Sequence, residues 1–66
     1  MGPLFEIRFE FVVENVLADR IQIRHWYAVP RIDEYVDLGD IEGYWRGTVT
    51  QVVWFDQRWV TVRCER

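Results

Sequence analysis

Apolar and polar residues alternate along two stretches in the first half of this chain. Every odd position is apolar from Phe5 to Val13, and the even positions 6, 8 and 10 are charged. A similar alternation returns from Arg20 to Val29, where the odd positions run from Ile21 to Val29. A period of two is typical of a strand with one buried face. We therefore predict two strands, joined by the loop 14–19 into an antiparallel hairpin.

Charges suggest how these two strands pair, because directly opposed residues share a face and touch. When the numbers of opposed residues sum to 34, three pairs on the polar face are complementary: Glu14 with Arg20, Glu10 with Arg24, and Arg8 with Trp26. This register predicts that Trp26 points outward beneath Arg8. It also predicts that His25 points inward beside Phe9, as a packed core residue.

The second half of the chain contains three further predicted strands. Pro30 removes a backbone donor and ends the first ladder, and a short third strand is expected around Tyr35 to Leu38. A fourth strand runs from about residue 44 to 55 and a fifth from about 59 to 65. A tight turn at 56–58 joins the last two.

The register of this last hairpin has two solutions. A three-residue loop at 56–58 places Trp54 on one face with the valines and Cys64, whereas a two-residue loop turns Trp54 and Trp59 outward together. We favour the three-residue loop because it makes one face continuously apolar, with a bulge near Val49 absorbing the offset.

Five short strands with closely spaced turns predict an all-β fold: a small five-stranded SH3-like barrel or a highly bent antiparallel sheet. A chain of 66 residues makes one domain, residues 1–66, of marginal stability. Its only cysteine, Cys64, excludes an internal disulfide. Eleven aromatic residues or a second copy of the chain must then supply stability.

The runs VPRIDEYVDL, YWRGTVTQVVW and WVTVRC, within residues 29–64, resemble small, mostly uncharacterised phage and bacterial proteins. In those proteins a hydrophobic-Pro-Arg turn introduces the second half of a compact barrel. The resemblance implies an SH3-like fold and a mobile-element origin, and it implies no activity. The alanine-leucine-tyrosine-aspartate motif of signalling SH3 domains does not occur here, so polyproline binding is not implied.

Composition argues against an enzyme. The chain has no serine and no lysine, which excludes a serine nucleophile, a Schiff-base lysine and a phosphate-loop lysine. One histidine and one cysteine are too few for a structural zinc site, and the acidic segment lacks the spacing of a calcium loop. We predict no catalytic residues, no metal and no cofactor, with Cys64 as a small buried hydrophobe.

No apolar run approaches the length of a membrane span, and acids stand where a secretory signal would carry an apolar core. The sequence therefore predicts a cytoplasmic protein without a membrane partner, a location that also suits an unpaired thiol.

Charge is unevenly distributed. The segment 33–42 carries five acids and no arginine, within a chain of net charge −3. The five acids are Asp33, Glu34, Asp37, Asp40 and Glu42. They form either a solvated loop or a contact for a basic partner.

The predicted function is a noncatalytic protein-interaction module, an accessory protein of a phage or mobile element. Its partner is either an unknown protein or a second copy of the chain, as a homodimer. Its predicted contact residues are the outward aromatics and arginines of the last hairpin: Trp45, Arg46, Arg58 and Trp59. The alternative is single-stranded nucleic-acid binding through the hairpin 44–63, since bases stack on exposed rings. The net negative charge argues against that alternative.

Overall fold

The computed structural model describes residues 4–18, 21–39 and 45–66. Within these ranges the chain forms six strands and no helix: β1 (Phe5–Val13), β2 (Val16–Leu17), β3 (Gln22–Trp26), β4 (Tyr35–Asp37), β5 (Arg46–Trp54) and β6 (Trp59–Glu65). All six belong to one sheet, so the predicted all-β class is confirmed.

The strands lie in the order β2-β1-β6-β5-β4, and β3 pairs with β1 as well. The β1–β6 pair is parallel, and every other pair formed by the described strands is antiparallel. The sheet is open, with β4 at one end, rather than closed into a barrel. It therefore agrees with the predicted bent sheet rather than with the barrel. The parallel pairing of β1 with β6 was not predicted, because the sequence indicated only the two antiparallel hairpins.

The first hairpin forms, but its predicted register is wrong. Phe5 lies opposite Trp26, so opposed numbers sum to 31 instead of 34. The chain reverses at Glu14 and Asn15, whose φ angles of 51° and 67° are those of a tight two-residue turn, and β2 follows at once. With this two-residue turn the numbers of opposed residues sum to an odd value, whereas the predicted sum was even. Each side chain of β3 therefore lies on the face opposite to the one predicted.

Two predictions that depended on that register, the placements of His25 and Trp26, are also wrong. His25 is not a core residue, because its side chain is 58% exposed. Trp26 does not lie beneath Arg8; its ring packs against Phe9 with centroids 5.2 Å apart and joins the edge of the core.

The register of the second hairpin is confirmed. Trp54 lies opposite Val60 and the Phe55 amide donates to the Trp59 carbonyl, which leaves residues 56–58 in the loop. The ladder shifts between Val49 and Gln51, as the predicted bulge requires. Trp54 is on the core face but 50% exposed, because it ends its strand; its ring meets Phe5 edge to face.

The core occupies one face of the sheet. Its buried residues come mainly from β1 and β6, with one each from β4 and β5: Ile7, Phe9, Phe11, Val36, Val49, Val60, Val62 and Cys64. Gly47 lets β5 approach β6 closely, since a Cβ atom there would lie 2.8 Å from the Glu65 carbonyl oxygen. The opposite face, called the outer face below, carries the charged residues of β1 and β6.

Candidate protein-interaction surface

A continuous line of contacts crosses the outer face from β3 to the end of β5. His25 Nε2 lies 3.8 Å from Glu6 Oε1, and Glu6 Oε2 lies 3.5 Å from Arg8 Nε. The Arg8 guanidinium sits 4.4 Å from the centroid of the Trp59 ring. Trp59 in turn stacks on Phe55, with centroids 4.9 Å apart and ring planes 29° from parallel. These five residues are called the outer patch.

Local geometry explains why the patch assembles. The parallel register places Glu6 beside Trp59, so the charged positions of β1 lie next to the ring. The three-residue loop places Phe55 across from Trp59, and the Phe55 amide donates to the Trp59 carbonyl at 3.0 Å. Arg8 completes the arrangement through a cation–π contact, which typically contributes about 0.5–1 kcal/mol at an exposed site.

The outer patch exposes apolar surface. Phe55 is 59% exposed, and Ile23 and Val53 on the same face are 46% and 37% exposed. In the described part of the chain eleven large hydrophobic residues are exposed, against eight in the buried core. Scattered exposed apolar residues are ordinary, but a contiguous group that includes an aromatic stack and arginine has the composition of an interface centre.

The charges of the outer face are already paired with one another. Arg63 Nη2 donates to Glu10 Oε2 at 3.0 Å, and Arg8 lies beside Glu6. The face therefore alternates between positive and negative groups and does not form a basic groove. Trp59 Nε1 and the Nε atoms of Arg8 and Arg63 are buried donors with no hydrogen-bond partner in the part of the chain that the structure describes.

The four predicted contact residues do not form one surface. Trp59 belongs to the outer patch, and Arg58 lies beside it in the exposed turn, where its carbonyl accepts a hydrogen bond from the Glu6 amide at 2.7 Å. Trp45 and Arg46 lie at the opposite end of β5, which at roughly 3.4 Å per residue is tens of ångströms away. Trp45 packs against the core instead of facing outward. The partner-binding roles of all four stay predictions.

Three of the five predicted acidic contacts can be located. Asp33, Glu34 and Asp37 are exposed at β4 and the turn that precedes it. Glu34 Oε1 accepts from the Arg31 amide, and Asp37 Oδ1 accepts from the Gly39 amide at 2.8 Å. Asp40 and Glu42 lie outside the described residues.

Cys64 and His25 do not make a nucleophilic pair. Cys64 is buried on the core face, and this burial raises the pKa of its thiol to about 11, so it is protonated at neutral pH. His25 is on the outer face, separated from it by the sheet. Among the described residues there is no group of three His, Cys, Asp or Glu side chains arranged to hold a metal ion.

Residues 4–18, 21–39 and 45–66 contain no helix with the length and apolar character needed to traverse a bilayer. The cytoplasmic location stays a prediction.

No known protein family, no curated protein and no solved structure matches this chain. The resemblance of residues 29–64 to phage and bacterial proteins therefore stays a prediction, and the surface must be interpreted from its own geometry.

Sequence reasoning predicted Trp59 as a contact residue and missed the other four members of the outer patch: Glu6, Arg8, His25 and Phe55. Arg8 and Glu6 carry the correct parity for the outer face, but no local pattern indicates that β6 is the neighbour of β1. His25 was assigned to the core because its parity matched Ile21 and Ile23, which are themselves exposed. The signal that was available is Asn15, which tolerates positive φ and marks the early turn.

Proposed function

We propose that this chain is a noncatalytic protein-interaction module and that it binds a second copy of itself through the outer patch. The observation that supports this proposal is the Phe55–Trp59 stack capped by Arg8 at the turn end of β5 and β6, on the same outer face that exposes Ile23 and Val53. Buried clusters of aromatic residues and arginine supply most of the binding energy at protein interfaces.

The charges of the outer face favour self-association. Glu6 and Arg8 are neighbours on the outer face, so a two-fold axis that passes between them brings each residue against the opposite charge of the other copy. The protein measures 36 × 21 × 21 Å, so its long face is comparable with the roughly 800 Å² that each partner buries in a standard interface. A second copy would also supply the burial that a small core lacks.

Single-stranded nucleic acid is a weaker candidate for the same surface. Exposed rings favour base stacking, but Arg8 and Arg63 are paired with Glu6 and Glu10, and the whole chain has a net charge of −3. A strand of phosphates would meet these carboxylates beside Arg8 and Arg63. An accessory role in a mobile element is consistent with a small binding module, and the resemblance described above is its only support.

Sedimentation equilibrium across a concentration series tests the proposal. The wild-type chain is expected to approach the mass of a dimer at high micromolar concentration, and Phe55→Glu is expected to remain a monomer because it places a charge in the aromatic stack. Val16→Glu is the matched control: Val16, like Phe55, is an exposed apolar residue, but it lies on β2, away from the patch.

A monomeric wild type at high concentration, or a dimer unaffected by Phe55→Glu, would contradict the proposal. The nucleic-acid reading is tested in parallel by fluorescence anisotropy with labelled single strands at low salt. If the chain binds the labelled strands, and if both Phe55→Glu and added salt weaken that binding, the outer patch binds single-stranded nucleic acid and the present proposal is wrong.

A further inference from the structure

A second candidate site lies on β4, at the open end of the sheet. β4 pairs with β5 on one side only, and no strand in the described ranges pairs with its other edge. An unpaired edge presents a row of backbone donors and acceptors that another strand can use. This site shares no residue with the outer patch.

The free backbone groups of β4 can be assigned from its ladder. The Leu38 amide donates to the Trp45 carbonyl and the Val49 amide donates to the Glu34 carbonyl, so even-numbered residues face β5. Hydrogen-bonded pairs alternate along an antiparallel ladder. Tyr35 and Asp37 therefore direct their amides and carbonyls away from β5.

A cleft of about 380 Å³ borders β4, within the size range of small binding sites. Its walls are formed by the end of β3 with the residues that follow it and by β4 with the residue before it, and they include Trp26, Val29, Glu34, Tyr35 and Asp37. Trp26 and Val29 pack against the core, so the cleft has an apolar wall continuous with the interior. Glu34 and Asp37 give it acidic groups.

From this combination we infer that the β4 edge binds an extended basic peptide, which adds a strand to the sheet. Its main chain pairs with Tyr35 and Asp37. Its side chains alternate, as in any strand, between the apolar wall on one face and the exposed face of β4 on the other. There, arginines of the peptide meet the Asp37 carboxylate and the Tyr35 ring.

Charge selects this occupant over a second copy of the chain. A second β4 at this edge would bring its own carboxylates at positions 33, 34 and 37 against the same three groups. Like charges placed opposite each other across a strand pair are destabilising. A basic segment removes that repulsion and gains complementary contacts.

The probe is a labelled, end-capped heptapeptide in which four arginines alternate with three valines, measured by fluorescence anisotropy with the wild-type chain. Two methylated versions carry N-methyl groups on either the two central arginines or two of the valines. Only one of these residue types points its amides at β4, arginine if the peptide is antiparallel and valine if it is parallel. One methylated peptide is therefore expected to bind about tenfold or more weakly than the other.

Protein variants provide the matched arm. Tyr35→Pro removes an outward amide that β5 does not use, whereas Tyr35→Thr removes the same ring and keeps the amide. The proline variant is expected to lose about tenfold in affinity relative to the threonine variant, and a peptide with glutamate in place of arginine is expected not to bind. Phe55→Glu should leave peptide binding unchanged, so this site fails or succeeds independently of the outer patch.

Several results would overturn the inference. Equal affinity of the two methylated peptides would show that no ladder forms and that contact is through charge alone. Absence of binding by the arginine–valine peptide at low salt would remove the site. A dimer that Tyr35→Pro dissociates and Phe55→Glu does not would show that the occupant of this edge is a second copy of the chain.

Discussion

The register of β3 decides which residues reach the outer face, and Trp26 tests it. In the structure the Trp26 ring packs against Phe9 at 5.2 Å, on the core side of the sheet. The register in which opposed numbers sum to 34 turns Trp26 to solvent and places Ile23 in the core. The two registers therefore differ in which variant loses more stability. Trp26→Ala is the more damaging change in the observed register, and Ile23→Thr is the more damaging change in the other.

The magnitude follows from the area that each side chain buries. A half-buried tryptophan removes about 120 Å² from water, which at about 25 cal/mol per Å² contributes roughly 3 kcal/mol, and the ring contact with Phe9 adds about 0.5–1.5 kcal/mol. Trp26→Ala is expected to lower the free energy of unfolding by about 3.5–4.5 kcal/mol. Ile23 is 46% exposed on the outer face, and threonine suits a strand, so Ile23→Thr is expected to cost about 1 kcal/mol or less.

Urea denaturation followed by far-ultraviolet circular dichroism measures both variants. A 66-residue chain has a total stability of roughly 3–10 kcal/mol, so Trp26→Ala is measured in sucrose as well as in buffer to keep a folded baseline. A loss of several kcal/mol for Ile23→Thr together with a small loss for Trp26→Ala would refute the observed register and restore the one with a sum of 34.

Three further changes test other features of the fold. Glu14→Gly is expected to raise the free energy of unfolding by about 0.5 kcal/mol, because glycine adopts the φ of 51° without the strain of a β-carbon; Glu14→Ala, which keeps the strain, should give no gain, and an equal gain would contradict this reason. Gly47→Ala is expected to cost about 1–3 kcal/mol or more in thermal unfolding, since its Cβ would lie 2.8 Å from the Glu65 carbonyl, and a neutral effect would mean that β5 and β6 are less closely packed. Cys64 has a pKa raised to about 11 from 9.0, so the thiol ionises first in the unfolded chain and stability falls as pH rises from about 9 to 11. This loss, about 2–3 kcal/mol, should disappear from the pH dependence of Cys64→Ala, and identical slopes would show that the thiol is not buried.

Much of the fold could be predicted from periodicity and turn chemistry. Alternation located β1 and the last hairpin, and the requirement for one apolar face selected the three-residue loop that brings Phe55 against Trp59. These features are local, because strand period and loop length are encoded by neighbouring residues. The bulge between Val49 and Gln51 followed from the same reasoning.

The remaining features depend on contacts that are distant in sequence or on an unusual turn. Arg8 meets Trp59 only because β1 and β6 pair in parallel, and nothing within either strand specifies that neighbour. The two-residue turn has Glu14 at a left-handed position where glycine or asparagine is usual. The sequence therefore favours the longer predicted loop, 14–19. That single error reversed β3 and moved His25 from the core to the outer face.

The central claim is that the outer patch binds a second copy of the chain. The most direct measurement is a series of amide and tryptophan-indole NMR spectra recorded from low to high micromolar concentration. If a second copy binds the outer patch, the signals of Glu6, Arg8, Phe55 and the Trp59 indole shift together with concentration, whereas those of Val16 and Leu17 on β2 do not. Spectra that stay the same at every concentration, or shifts confined to β2 or β4, would contradict it.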